Sequence, residues 1–283
     1  MKTRLQTFAV LLIAALATLF AQGPLTPPGA PAPMMKTLDQ VEPRTPITTL
    51  PYTISLPGSY YVVTNLTGGS GIAIAASGVT LDLMGFELVG GTGSGIFVSG
   101  SRTNICIRNG TVRNWSTIGV HAANANDSIL QELRVSNNGT HGLALGYRGR
   151  VRDCIASSNG SDGISALDDG TISGCTARQN AGDGIEVVSA CWLYDNHCVS
   201  NGSGGSGSGI RATGNDNRID SNHVHGSDYA GIEVNGTGSL IIRNSASNNN
   251  ISGYLIAIGN TLGPFVTRDN IAASSNPHSN YDF

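Results

Sequence analysis

Glycine followed by an aliphatic residue recurs at Gly71-Ile72, Gly95-Ile96, Gly119-Val120, Gly142-Leu143, Gly163-Ile164, Gly184-Ile185, Gly209-Ile210 and Gly231-Ile232, in steps of 21 to 25 residues. Apolar and polar positions alternate after each member, as in Ile72-Ala73-Ile74, Ile185-Glu186-Val187 and Ile232-Glu233-Val234. That is the period of a strand and not of a helix. A repeat of this length signals a solenoid, so each repeat is predicted to be one coil of three short strands. In the fifth coil, Ile164 and Ala166 point inward on the first strand, Ile172 on the second, and Cys175 and Ala177 on the third, before Asn180 turns the chain. The aligned inward column of third strands reads Val112, Val135, Ala156, Ala177, Cys198, Val224 and Ala246, small and β-branched residues that suit a narrow stacked core.

A second period lies in Asn138, Asn159, Asn180 and Asn201, each 21 residues after the last, with Asn249 two coils later. Coils stacked at about 4.8 Å place these carboxamides above one another, where they hydrogen-bond as a structural ladder and satisfy the bend. The fold class is therefore all-β, a parallel β-helix of about nine coils spanning residues 70–256 and on the order of 43 Å long. Residues 34–69 break the repeat with Pro43, Pro46, Pro51 and Pro57 before the strand-like run Tyr60 to Val63, and are expected to cap the exposed end of the first coil. Residues 257–283 are again irregular and are expected to close the other end as a cap or tail.

Ahead of the repeat, two cationic residues within Met1 to Arg4 precede an apolar run from Phe8 to Phe20 and small residues up to Ala21. The run is too short to span a bilayer, so residues 1–21 read as a secretory signal peptide, with an uncleaved anchor as the alternative. Residues 22–33 form a proline-rich leader. No later segment is apolar enough to span a membrane, and the expected location is secreted, extracellular or periplasmic. Only 12% of residues are charged and the net charge is -3, which argues against nucleic acid as a partner.

Among the five cysteines, Cys154 and Cys175 are one 21-residue coil apart and should stack. Parallel strands in register hold Cβ atoms wider than the roughly 3.8 Å of a disulfide, which favours two buried thiols over a bridge.

The Gly-Ile-x-Val and Asn-Gly turns resemble the right-handed parallel β-helix repeats of the pectate-lyase-like superfamily over about two thirds of the chain. The flanks, Met35 to Ile47 and Asn276 to Phe283, resemble those of secreted bacterial β-helix proteins of no established function. The superfamily's members include polysaccharide lyases, hydrolases, epimerases, adhesins and tailspikes, so the resemblance implies a fold more sharply than an activity.

On such a scaffold, outward side chains of neighbouring coils stand in rows about 4.8 Å apart. The first-strand row brings Glu186, Arg211 and Glu233 together. Its plain reading is a solvated ion-pair ladder. Its catalytic reading takes the two glutamates, about 9 to 10 Å apart, as an inverting glycosidase pair, or takes Arg211 as the group that stabilises a lyase intermediate. The polygalacturonase-like pattern is matched only by Asp168-Asp169, His141-Gly142 and Asn215-Asp216, out of order and at turns. Pectate-lyase-like members hold calcium in an acidic cluster near an arginine, which Asp162 and Asp183 can begin, although Asp before a turn glycine commonly binds local backbone amides.

A second row presents Arg150, Arg152, Trp192, Tyr194 and Arg218 as a platform for sugar rings, unless the insertion 202–208 or the tail covers Trp192. A third brings His197, His223 and His225 within reach of zinc or copper, with Asp220 as a further ligand. Periplasmic β-helix proteins that resemble this chain are linked to copper maturation. Sequons at Asn138, Asn159 and Asn201 fall on the ladder, which discounts glycosylation there. No cofactor is expected, with calcium, zinc or copper the only weakly supported ions. The expected function is an exported surface or matrix protein that binds polysaccharide or a cell-surface component along one sheet face. The rivals are a polysaccharide lyase or hydrolase and a periplasmic metal-delivery accessory.

Overall fold

The structure, a computed structural model, describes residues 43–283. The signal peptide, the leader and the first part of the expected cap lie outside the described residues. From Arg44 onward the chain winds as a parallel β-helix in which each coil contributes three strands. First strands, from Tyr52–Ile54 to Ser252–Ile256, build a ten-stranded parallel sheet, so the helix has about ten coils where the repeat alone predicts about nine. The additional rung is Tyr52–Ile54, which pairs in register with Ile72–Ile74 ahead of the first glycine of the repeat. Second and third strands belong to one twenty-stranded sheet, because Ile105–Trp115 and Ile129–Ser136 run through both positions. Among the described residues no helix is long and apolar enough to cross a membrane.

The alternation read from the sequence sets the register. Val112, Val135, Ala156, Ala177, Cys198, Val224 and Ala246 pair one above the next and are fully buried. The asparagine ladder is present. Each Nδ2 donates to the Oδ1 one coil on, at 3.0 Å for Asn138 to Asn159 and 2.9 Å for Asn159 to Asn180 and Asn180 to Asn201. Each Nδ2 also donates to a backbone carbonyl, and each Oδ1 of Asn159, Asn180 and Asn201 accepts the backbone N–H of the preceding asparagine. This contact explains the repeat's glycine. A Cβ at Gly163 would lie 2.6 Å from Asn180 Nδ2 and 2.7 Å from the Gly184 carbonyl, which leaves no room for a side chain.

A second ladder, Asn196, Asn222, Asn244 and Asn280, runs along the corner between second and third strands. Cys175 extends it backwards, its N–H donating to Asn196 Oδ1 at 3.0 Å. Cys154 and Cys175 are free and buried, as expected. Asn280 lies on the tail strand Asn280–Asp282, which pairs with Ser245–Ser247 on one side and Phe265–Val266 on the other.

Candidate functional site

The turn from each third strand into the next first strand carries a column three residues beyond the first asparagine ladder: His141, Asp162, Asp183 and Ser208. The aspartates do not bind amides of their own turn. Asp162 Oδ1 accepts the N–H of Asp183 at 2.7 Å, and Asp183 Oδ1 accepts the N–H of Ser208 at 2.6 Å, so each carboxylate reaches one coil on. Beside this column stands the outer row of the ten-stranded sheet, where Glu186 pairs with Arg211 and Arg211 with Glu233 as the spacing predicts.

The two columns meet. One oxygen from each of Asp162, Asp183 and Glu186 lies within 4.8 Å of the others, and these groups line an open cavity of about 370 Å³ with His141 and Arg211. His141 Nδ1 lies 3.1 Å from Asp162 Oδ2, and Arg211 lies 3.6 Å from both Asp183 Oδ2 and Glu233 Oε2. Glu233 is buried and receives hydrogen bonds from Ser208 at 2.8 Å and Asn235 at 3.0 Å. The insertion 202–208 closes over this cluster, with Ser206 and Gly207 at the cavity rim.

Three carboxylates in one partly dry space cannot all ionise easily. Burial, reinforced by the charge of Asp162, pushes Asp183 up to about 7 against a backbone hydrogen bond that pulls the other way. Burial and the Asp162 charge also raise Glu186. Burial opposes ionisation of Asp162 too, but His141 and the Asp183 N–H bring its carboxyl below the ordinary value. His141 is raised in turn by its contact with Asp162. At neutral pH the cluster therefore offers a carboxylic acid and a carboxylate side by side, the pairing that acid–base chemistry uses.

As a cation site, the three carboxylates are hard oxygen donors that suit calcium better than zinc or copper. The fit is poor all the same. Two of the oxygens already accept backbone N–H groups, and His141 and Arg211 supply the positive charge that a metal would bring.

On the twenty-stranded sheet, Arg150, Thr171, Trp192 and Arg218 form one row and Arg152, Ser173, Tyr194 and Asp220 the next. Trp192 is 44% exposed, so neither the insertion nor the tail covers it. Its ring centroid is 4.5 Å from that of Tyr194, and the Arg218 guanidinium lies 5.6 Å from the indole. Arg152 donates to Gln131 at 2.6 Å. Asp220 is gripped by Arg218 and Arg243, whose hydrogen bonds outweigh burial and hold its carboxyl below the ordinary value.

His197 and His223 stack with ring centroids 5.0 Å apart, while His225 stands in the neighbouring row opposite Val199. Nδ1 of His223 and of His225 engage the hydroxyls of Ser245 and Ser247 at 2.6 and 3.0 Å. Among the described residues, only Asp162, Asp183 and Glu186 bring three ligand atoms together. The spacing of Glu186, Arg211 and Glu233 is legible in the sequence, but their meeting with the aspartate column is not. The available signal is that His141, Asp162 and Asp183 are themselves 21 residues apart.

A profile of the family described as "Right handed beta helix region" matches residues 60–196. No sequence among curated proteins matches the chain. The periplasmic alginate epimerase AlgG superposes with a TM-score of 0.54 at 14% identity, over 72% of this chain and 61% of that one. Pectate lyase Pel9A gives 0.52 at 17% identity, over 74% and 64%. The enzymatically active domain of bacteriophage CBA120 tailspike protein 2 gives 0.54 at 11%, over 86% and 42%. The chain thus spans less than two thirds of each neighbour's length, and at these identities the likeness is one of fold.

Proposed function

We propose that this chain, which has the right-handed parallel β-helix fold of the pectate-lyase-like superfamily, is an exported protein that lays a polysaccharide along the outer row of its ten-stranded sheet and cleaves it at the Asp183 cluster. The observation that carries the reading is Asp183, raised to about 7 next to an Asp162 carboxyl held low, in a groove open to solvent. Glycosidic cleavage needs a protonated acid for the leaving oxygen and an ionised carboxylate for the positive charge that develops on the sugar. Asp183 supplies the first and Asp162 the second, with His141 holding Asp162 ionised. The neighbours named for alginate, pectate and tailspike activity support a carbohydrate substrate, and the apolar run of Phe8 to Phe20 supports export.

Incubation with a panel of plant, algal and bacterial polysaccharides tests this. The wild-type protein releases new reducing ends or unsaturated sugars from at least one, and Asp183→Asn lowers that rate by about 10² to 10⁴. The wild-type rate falls as pH rises through about 7, because Asp183 must carry its proton. A panel that yields no product, or an unimpaired Asp183→Asn protein, overturns the reading.

A second reading rests on the solvent-open Trp192 and its partners Tyr194 and Arg218. It assigns this face, with Arg150 and Arg152, to binding a polysaccharide or cell-surface component without chemistry.

A further inference from the structure

The outer row of the ten-stranded sheet continues past the carboxylates. Register stacks Phe97, His121, Ala144, Ser165, Glu186 and Arg211 in successive coils. The small side chains of Ala144 and Ser165 leave a low strip between an aromatic end and an acidic end. At the aromatic end the Phe97 and His121 rings tilt at 51° with centroids 5.3 Å apart, and they line a cavity of about 410 Å³. Burial and the charge of His141 hold His121 below its ordinary value, so its ring is neutral at pH 7. The cation in this stretch of the row, Arg211, is within 3.6 Å of Asp183 and Glu233. A polyuronate would meet three carboxylates and no uncommitted positive charge, whereas the apolar face of an uncharged sugar stacks on a ring such as Phe97.

We infer that Phe97 and His121 form a remote stacking subsite for an extended, uncharged β-linked glycan whose other end lies at the Asp183 cluster, an assignment that rests on the reading of that cluster given above. One coil advances the row by about 4.8 Å, close to the length one sugar adds to an extended β-1,4-linked chain. His121 and Phe97 stand three and four coils before Glu186, or about 14 and 19 Å, so a chain of about five sugars fills both ends.

The test is calorimetry on full-length Asp183→Asn protein, with and without Phe97→Ala, against trimers and hexamers of β-1,4-linked glucose, mannose and xylose and of galacturonate and mannuronate. At least one neutral hexamer binds about tenfold more tightly than its trimer, a difference of about 1.4 kcal/mol. Phe97→Ala removes most of that gain and leaves the trimer unchanged. Circular dichroism confirms that the variant, altered at a solvent-facing position, keeps its strands. A gain that survives Phe97→Ala, uronate hexamers that outbind every neutral one, or no binding by any probe overturns the subsite. Wild-type protein that makes no product while the hexamer gain and its loss persist sinks the cleavage reading and spares the subsite.

Discussion

Asn159 and Asn180 stand three residues ahead of Asp162 and Asp183 on the same turns, and both pairs tie one coil to the next. The carboxamide gives and receives, so Asn180 Nδ2 finds Asn201 Oδ1 at 2.9 Å and the Ala156 carbonyl at 3.2 Å, while its Oδ1 accepts from Asn159. The carboxylate only receives. Asp183 accepts one backbone N–H, and its remaining oxygen faces Arg211 and a neighbouring acid. The same backbone task is thus done once without electrostatic tension and once with it. The tension recruits His141 and Arg211 and moves the Asp183 proton into the neutral range. A side chain that can only accept is the costlier way to build a turn, which marks the aspartate column as the one with a second role.

The comparison is broken most severely at Asn180. Replacement by alanine removes the partner of the Asn159 N–H and of the Ala156 carbonyl, both buried, and is expected to cost about 3 to 5 kcal/mol in urea unfolding. A shift under about 1 kcal/mol would mean that the ladder does not hold the coils. Asp183→Asn sharpens the contrast from the other side. The folded protein keeps a proton on Asp183 that the unfolded chain releases near pH 4, so wild-type stability falls as pH rises from about 4 to 7, by about 1.4 kcal/mol for each unit between the two pKa values. The asparagine variant cannot titrate, and it gains on wild type across that window. Equal slopes in thermal melts at pH 5 and pH 8 would place the proton elsewhere. The smallest effect is expected at Trp192, outside both columns, where alanine changes stability by less than about 0.5 kcal/mol. Loss of retention on a polysaccharide gel by that variant would favour the binding face, and unaltered retention would count against it.

The fold was legible because its two periods are short-range and strict. The glycine repeat fixes the coil, and the 21-residue asparagine step fixes the register. The ladder through Asn196, Asn222, Asn244 and Asn280 escaped because its steps are 26, 22 and 36 residues, stretched by the insertion 202–208 and by the excursion before the tail strand. Glu186, Arg211 and Glu233 were found as a row, since rows follow from alternation alone. Their meeting with Asp162 and Asp183 depends on how the turn curls back over the sheet edge, and alternation carries no information about that curl. The same limit applies to Trp192, whose exposure depends on the path of the insertion, which lies over the carboxylates instead.

The tail strand Asn280–Asp282 has a consequence for solubility. A stack of parallel rungs presents at its last coil an open template onto which another copy can dock and extend without limit. Here that rung is already paired on its far side by the two-residue strand Phe265–Val266, which follows Pro264 and is too short to seed further growth. Removing the last residues would expose Ser245–Ser247 and turn a solitary spiral into a seed for fibres.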